Sequence, residues 1–445
     1  MATLRIRNAR ILNPPDFSSG IVGDVVVDDG TIVHVGPDQA RAADHVVECD
    51  GAFCLPGLVQ THVHLCQTLM RGLADDLQLL DWLQHRIWPL EAAHTRSSMR
   101  ASARLGIAEL LLGGTTTLLS METLRHTDAV FEAVEEMGIR AVLGKTHMDH
   151  PDCPDGLRED SNASLQEAER LCKTWHGRAG DRIRYAYSPR FALSCTRQLL
   201  KRVGELARRD HTLLHTHASE NREECTAVER ETGRRNIHYL DAAGCLGERT
   251  VVAHCIHLEP GEVKRLAETC TRVVHCPTCN LKLGSGIADV PGLMEAGVRV
   301  SLGADGAPCN NALDMFEEMK LAAILHKVRS GPDTLPAASI LEMATLGGAR
   351  ALHLDGRIGT LAPGNRGDLI VVAPSGPRAH PRTTPAPASL LVYAGRSHDV
   401  RHVVVDGRVV VEDHTLKTAD LDTILTEADT EAVALRTRAG ICVRP

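Results

Sequence analysis

Aromatic residues are scarce in this chain: five Phe, four Tyr and three Trp in 445 residues. The core must therefore be aliphatic, built from Ala, Val, Leu and Ile. Long apolar runs are missing too, and none approaches the ~18 residues of a membrane span. The start, Met1-Ala2-Thr3-Leu4-Arg5-Ile6-Arg7, lacks the apolar h-region of a secretory signal. No block of Lys and Arg offers a counterion-releasing surface, and 49 Lys+Arg against 57 Asp+Glu leave a net charge of −8. These absences argue against membrane insertion and nucleic-acid binding, and point to a cytoplasmic protein. The 14 Cys are scattered; without a secretion signal they read as reduced thiols.

What the chain has in plenty is histidine, 23 residues, and a regular alternation of patterns. The first stretch reads as short strands, with residues 25–35 a hairpin turning at Gly30. From Gly57 onward, β-rich runs at 115–119, 140–143, 183–187, 212–216, 250–254, 272–275 and 298–302 alternate with amphipathic stretches at 97–112, 128–137, 195–208 and 260–268. Gly113-Gly114 and Gly138 stand where helix C-caps belong. Strands recurring every ~30–40 residues with helices between them make a parallel sheet. Some eight such units suit a (β/α)8 barrel; a doubly wound open sheet is the other arrangement the alternation allows. After residue 354 hairpins return, one with an Asp406-Gly407 turn. Residues 374–387 are a Pro-rich loop, and 418–438 read as a helix. The expected layout is a small β-sandwich domain made from residues 1–56 and 361–445, with the barrel, residues 57–360, inserted between them.

Four clusters carry chemistry. In Leu58-Val59-Gln60-Thr61-His62-Val63-His64 an apolar strand runs into two His on one side, because strand side chains alternate. Such a pair can hold Zn2+ at ~2.0–2.1 Å, or be two unrelated polar residues at a strand end. Leu213-Leu214-His215-Thr216-His217-Ala218-Ser219-Glu220 repeats the pattern and adds a Glu; Val251-Val252-Ala253-His254 and Leu302-Gly303-Ala304-Asp305 end the same way. His254 follows His217 by 37 residues and Asp305 follows His254 by 51, about one βα unit or somewhat more. All four clusters therefore fall at strand C-termini, the face where barrel active sites are built.

This series resembles the amidohydrolase superfamily, metal-dependent (β/α)8 barrels with a flanking β-sandwich, over residues 4–411. Cys66-Gln67-Thr68-Leu69-Met70-Arg71-Gly72, Trp88-Pro89-Leu90-Glu91, Cys276-Pro277-Thr278-Cys279-Asn280-Leu281-Lys282 and Gly306-Ala307-Pro308-Cys309-Asn310-Asn311 resemble the branch holding S-adenosylhomocysteine, methylthioadenosine and 5′-deoxyadenosine deaminases, guanine deaminase and triazine hydrolases. The resemblance implies one divalent metal, Zn2+ or alternatively Fe2+, on His62, His64, His217 and Asp305. It also implies Glu220 as proton shuttle, with His254 and Asp305 assisting at the reacting centre. Lys145 is the nearest candidate for bridging a second metal, and a poor one. Glu91 matches a ribose-binding Glu and Trp82 an aromatic packed on the substrate. Arg190 and Gln67 instead resemble guanine deaminase, where they read the base. The expected activity is hydrolytic deamination of an adenosine-type nucleoside, with guanine or a triazine as the alternative. Relatives are usually dimers or larger, so a homo-oligomer is expected by analogy.

Overall fold

The computed structural model describes residues 3–441 apart from residues 16, 18–19, 38–41 and 382–385. Part of the Pro-rich 374–387 segment, and Met1-Ala2 of the start, thus lie outside the described residues. Five strands come first: β1 (Leu4–Ile11), β2 (Ile21–Asp28), β3 (Thr31–Gly36), β4 (His45–Glu48) and β5 (Phe53–Pro56). Eight follow in the middle of the chain: β6 (Leu58–Val63), β7 (Thr115–Glu122), β8 (Arg140–His147), β9 (Ile183–Pro189), β10 (Leu213–Ala218), β11 (Thr250–His254), β12 (Arg272–His275) and β13 (Val300–Leu302). The last four are β14 (Leu369–Val372), β15 (Val400–Val405), β16 (Arg408–Glu412) and β17 (Thr415–Leu416).

β6 to β13 pair in sequence order, every neighbouring pair parallel. Thr61 Oγ1 donates to Leu302 O (2.9 Å), Asp305 N donates to His62 O (3.0 Å), and Val63 bridges Asp305, so β13 returns to β6 and the (β/α)8 barrel closes. Gly303 makes this seam possible: a Cβ there would lie 2.7 Å from His62 O. Strands buried on both faces need little polar alternation, and every residue of β6, β7 and β8 is buried. Helices Arg96–Leu112, Thr127–Met137, Arg197–Arg209 and Pro260–Glu268 lie where amphipathic stretches were read. Gly138 ends its helix in the left-handed conformation (φ 86°) that glycine tolerates.

The two ends of the chain meet in one nine-stranded mixed sheet, in which β5 pairs with β1 on one side and β14 on the other. A buried ion network ties this sheet to the barrel. Arg140, at the start of β8, donates through Nε and Nη2 to Asp368 (2.7 and 2.9 Å) and through Nη2 to Asp406 (3.0 Å). Helix Leu421–Arg438 instead lies on the barrel, with Ala428 and Leu435 buried in the apolar cluster that holds Leu90 and Ala101. Arg438 Nε donates to Ala93 O at 2.9 Å. Among the described residues no helix is long and apolar enough to cross a membrane.

Candidate active site

The C-terminal ends of β6, β10 and β11 and the turn after β13 bring His62, His64, His217, His254 and Asp305 together. His62 Nε2 and His64 Nε2 each lie 3.2 Å from Asp305 Oδ1, and His64 Nε2 lies 3.3 Å from His217 Nε2. His62, at 0% exposure, forms the floor; its Nε2 has no hydrogen-bond partner despite the short approach to Asp305. His254 faces the group from the far side, its Nε2 3.8 Å from Asp305 Oδ2 and 3.4 Å from Glu220 Oε2. The other Glu220 oxygen, Oε1, is buried without a partner. Ser219, His254 and Asp305 take left-handed backbone (φ 55°, 73° and 65°), a conformation that costs a non-glycine residue ~1–2 kcal/mol and recurs at functional sites.

Each imidazole is oriented by the nitrogen turned away from the cluster. His64 Nδ1 donates to Met121 O (2.7 Å), and His217 Nδ1 to Arg190 O (2.7 Å). His254 Nδ1 donates to Asn280 Oδ1 (2.9 Å), and His62 Nδ1 faces His215 Nε2 at 2.8 Å. Electrostatics follow from burial. It pushes His62 down to about 4 and drives His217 well below the ordinary range, so both rings are neutral, as ligands must be. Burial opposes ionisation of Asp305, but His62 and His64 outweigh it and hold this carboxyl well below its usual range. Burial raises Glu220 to about 7, with His254 pulling the other way. Neutral imidazoles beside an ionised carboxylate, one with an orphaned Nε2, form a donor set that fits a divalent cation with a position left for water. The ligating atoms of His62, His64 and His217 lie within 4.8 Å of one another, as do those of His62, His254 and Asp305.

A pocket opens above the cluster, concave and largely apolar as small-molecule sites are. Leu79, Trp82, Leu83, Phe191 and Leu283 give it apolar walls; Gln67, Arg190 and Glu220 line it with His64, His217, His254 and Asp305. Glu91 does not line it. Arg190 Nη1 and Nη2 donate to the two Glu91 oxygens (2.6 and 3.2 Å) and Gln67 Nε2 donates to Oε1 (2.8 Å), a charge-assisted fork that holds the acid behind the wall.

Residues 53–410 match the Amidohydrolase family. The chain belongs to the amidohydrolase family. It is therefore a hydrolytic enzyme acting on C–N bonds. It is similar to a 5′-deoxyadenosine deaminase of Methanosarcina acetivorans, 38% identical over 99% of this chain and 100% of that one. A 5-methylthioadenosine/S-adenosylhomocysteine deaminase of Syntrophobacter fumaroxidans is 41% identical over 95% of this chain and 96% of its own. A crystal structure of an adenosine deaminase from Xanthomonas campestris with bound zinc superposes with a TM-score of 0.90, at 33% identity over 98% of both chains.

Within this amidohydrolase, sequence reasoning missed His215 and Asn280 as supports of His62 and His254. A second His two residues before His217 was a signal for the first, since both face the barrel interior. Lys145 is far from a bridging role: it donates to Thr146 O and Ser164 Oγ (3.0 and 3.1 Å) and pairs with Glu159. His275, also at a strand end, lies beside His326, with ring centroids 5.4 Å apart and planes tilted by 51°.

Proposed function

We propose that this amidohydrolase deaminates an adenosine-type nucleoside, such as 5′-deoxyadenosine, 5′-methylthioadenosine, S-adenosylhomocysteine or adenosine, to the inosine-type product and ammonia. The observation that carries the reading is the convergence of His62, His64, His217 and Asp305 under one cavity with Glu220 and His254 across from them. The names borne by relatives 38–41% identical over nearly the full chain support the choice of substrate class.

In this reading His62, His64, His217 and Asp305 hold one divalent cation, Zn2+ with Fe2+ as the alternative. Bound there, it supplies hydroxide at neutral pH by lowering the pKa of its water to about 7. Glu220 takes up a proton at its unpartnered Oε1 and delivers it to the purine ring nitrogen, then to the leaving amine. A carboxyl near 7 both accepts and gives back a proton at neutral pH. Burial works against protonating His254, but Glu220 and Asp305 outweigh it and hold the ring above its ordinary range; its Nε2–H then donates to the attacking oxygen and stabilises the charge it carries. Asp305, besides ligating, accepts a proton in passing. Trp82 and its apolar neighbours cover the base and exclude water, and Gln67 and Arg190 read polar edges. Glu91 acts by fixing Arg190, and meets ribose hydroxyls only where Arg190 yields its fork. Residues 57–360 form the catalytic unit, and residues 1–56 with 361–445 the flanking one; the working form is a homo-oligomer in the cytoplasm.

One observation favours a second reading: Arg190 lines the cavity and Glu91 does not, an arrangement suited to a carbonyl-bearing base such as guanine. Ammonia release from a panel of free bases and 5′-modified adenosines separates the two. A modified adenosine is expected to be turned over at the highest kcat/KM; turnover of guanine alone, surviving Glu91→Ala but not Arg190→Ala, establishes the alternative.

A further inference from the structure

The Cys276-Pro277-Thr278-Cys279 run has no part in the chemistry above, and Cys276 is not the thiol that matters to Cys279. Helix Pro277–Lys282 carries Cys279 toward Cys309, which stands in the short turn Ala307–Asn310 just after Asp305. Both cysteines are free, at 0% exposure. Their Sγ atoms and a carboxylate oxygen of Asp305 lie within 4.8 Å of one another. Cys279 Sγ is equally close to a Glu220 oxygen and a His254 ring nitrogen. Cys309 Sγ donates to Gly306 O at 3.1 Å. Asp305, Glu220 and His254 line the catalytic cavity, so the two thiols lie directly behind its wall.

Sulfur and carboxylate donors differ from imidazole in softness. Thiolates select Zn2+, Cd2+ and other thiophilic ions, with Zn–S bonds of ~2.3 Å. Two sulfurs and a carboxylate spaced this closely can meet on one ion by small side-chain shifts, and a carboxylate commonly bridges two cations ~3.5–4 Å apart. We propose that Cys279 and Cys309, with the carboxylates of Asp305 and Glu220, form a second, thiophilic cation site beside the catalytic one, filled by Cd2+ or by Zn2+ in excess, whose occupancy inhibits the enzyme. Binding forms two metal–sulfur bonds and sends the two thiol protons to solvent, with no change of oxidation state. Inhibition rests on the reading of Glu220 as the proton carrier: once Glu220 is drawn to the ion it no longer shuttles protons. Binding itself does not rest on that reading.

The test uses the zinc-loaded full chain, titrated with Cd2+ in thiol-free buffer, with zinc and cadmium per chain measured together. The expected result is one cadmium added without loss of zinc, a thiolate-to-cadmium charge-transfer band in the ultraviolet, and loss of activity reversed by a chelator. Cys279→Ser and Cys309→Ala each lose the band and the inhibition, while keeping the parent's activity in the absence of cadmium. A band in a parent that deaminates none of the nucleosides supports the site and sinks the functional reading. Cadmium that replaces zinc one for one, a parent without the band, or inhibition unchanged in both variants overturns the site.

Discussion

Replacing Glu220 by Gln is expected to stabilise the metal-free protein while disabling the enzyme. The side chain is 5% exposed, and burial raises its carboxyl from 4.5 to about 7. The folded protein therefore binds this proton more tightly than the unfolded chain. Stability tied to it is fully present below pH 4.5 and is lost as pH rises through 7. The loss amounts to roughly 3 kcal/mol at pH 8 and to about 1 kcal/mol or less at pH 5. A neutral isostere escapes it. His254 loses the partner that favours its protonated form, which subtracts from the gain, so roughly 3 kcal/mol is a ceiling. An unfolding entropy of ~2.1 cal/mol/K per residue over 445 residues converts this ceiling to a Tm rise of about 3 °C. Scanning calorimetry of metal-free parent and Glu220→Gln at pH 8 and pH 5 measures it. The metal-loaded variant is expected to lose ~10²–10⁴ in kcat, the range for a removed general acid–base. A variant no more stable than the parent at pH 8, or equally stabilised at both pH values, refutes the argument from burial.

Two further outcomes follow from the supporting residues. His215→Leu removes the group facing His62 Nδ1 at 2.8 Å, and zinc affinity measured by chelator competition should fall ~10–100-fold, as for other lost partners of ligating His, with His215→Gln falling less. Glu91→Leu leaves the Arg190 guanidinium buried without its carboxylate and should cost ~3–5 kcal/mol in denaturant unfolding, most of it recovered in the Glu91→Leu/Arg190→Leu double variant; a double variant as weak as the single one contradicts the pairing.

The barrel was legible because its strands obey local rules. β11 and β12 have the limits the β-rich runs 250–254 and 272–275 proposed, since apolar β-branched residues end there at a polar one. The clustering of the candidate site residues was legible for the same reason: His62, His64, His217, His254 and Asp305 each stand at the end of such a run, and a parallel barrel turns every run's end to one face. What escaped was contact between distant segments. His215 meets His62 across the barrel, 153 positions away, and Arg190 meets Glu91 across 99. No periodicity encodes either pair. Glu91 thus read as a ribose-binding acid, although Arg190 and Gln67 already occupy its carboxylate. Nor does the Cys-x-x-Cys spacing of Cys276 and Cys279 point to Cys309, which packing after Asp305 brings beside Cys279.

The most direct measurement is the ultraviolet spectrum of 5′-deoxyadenosine or 5′-methylthioadenosine mixed with zinc-loaded protein, followed alongside ammonia. The expected result is conversion of the adenosine spectrum to the inosine spectrum with one ammonia released per nucleoside, abolished by chelation and restored by Zn2+. An unchanged spectrum with every 5′-modified adenosine tried, from protein carrying one metal per chain, contradicts it.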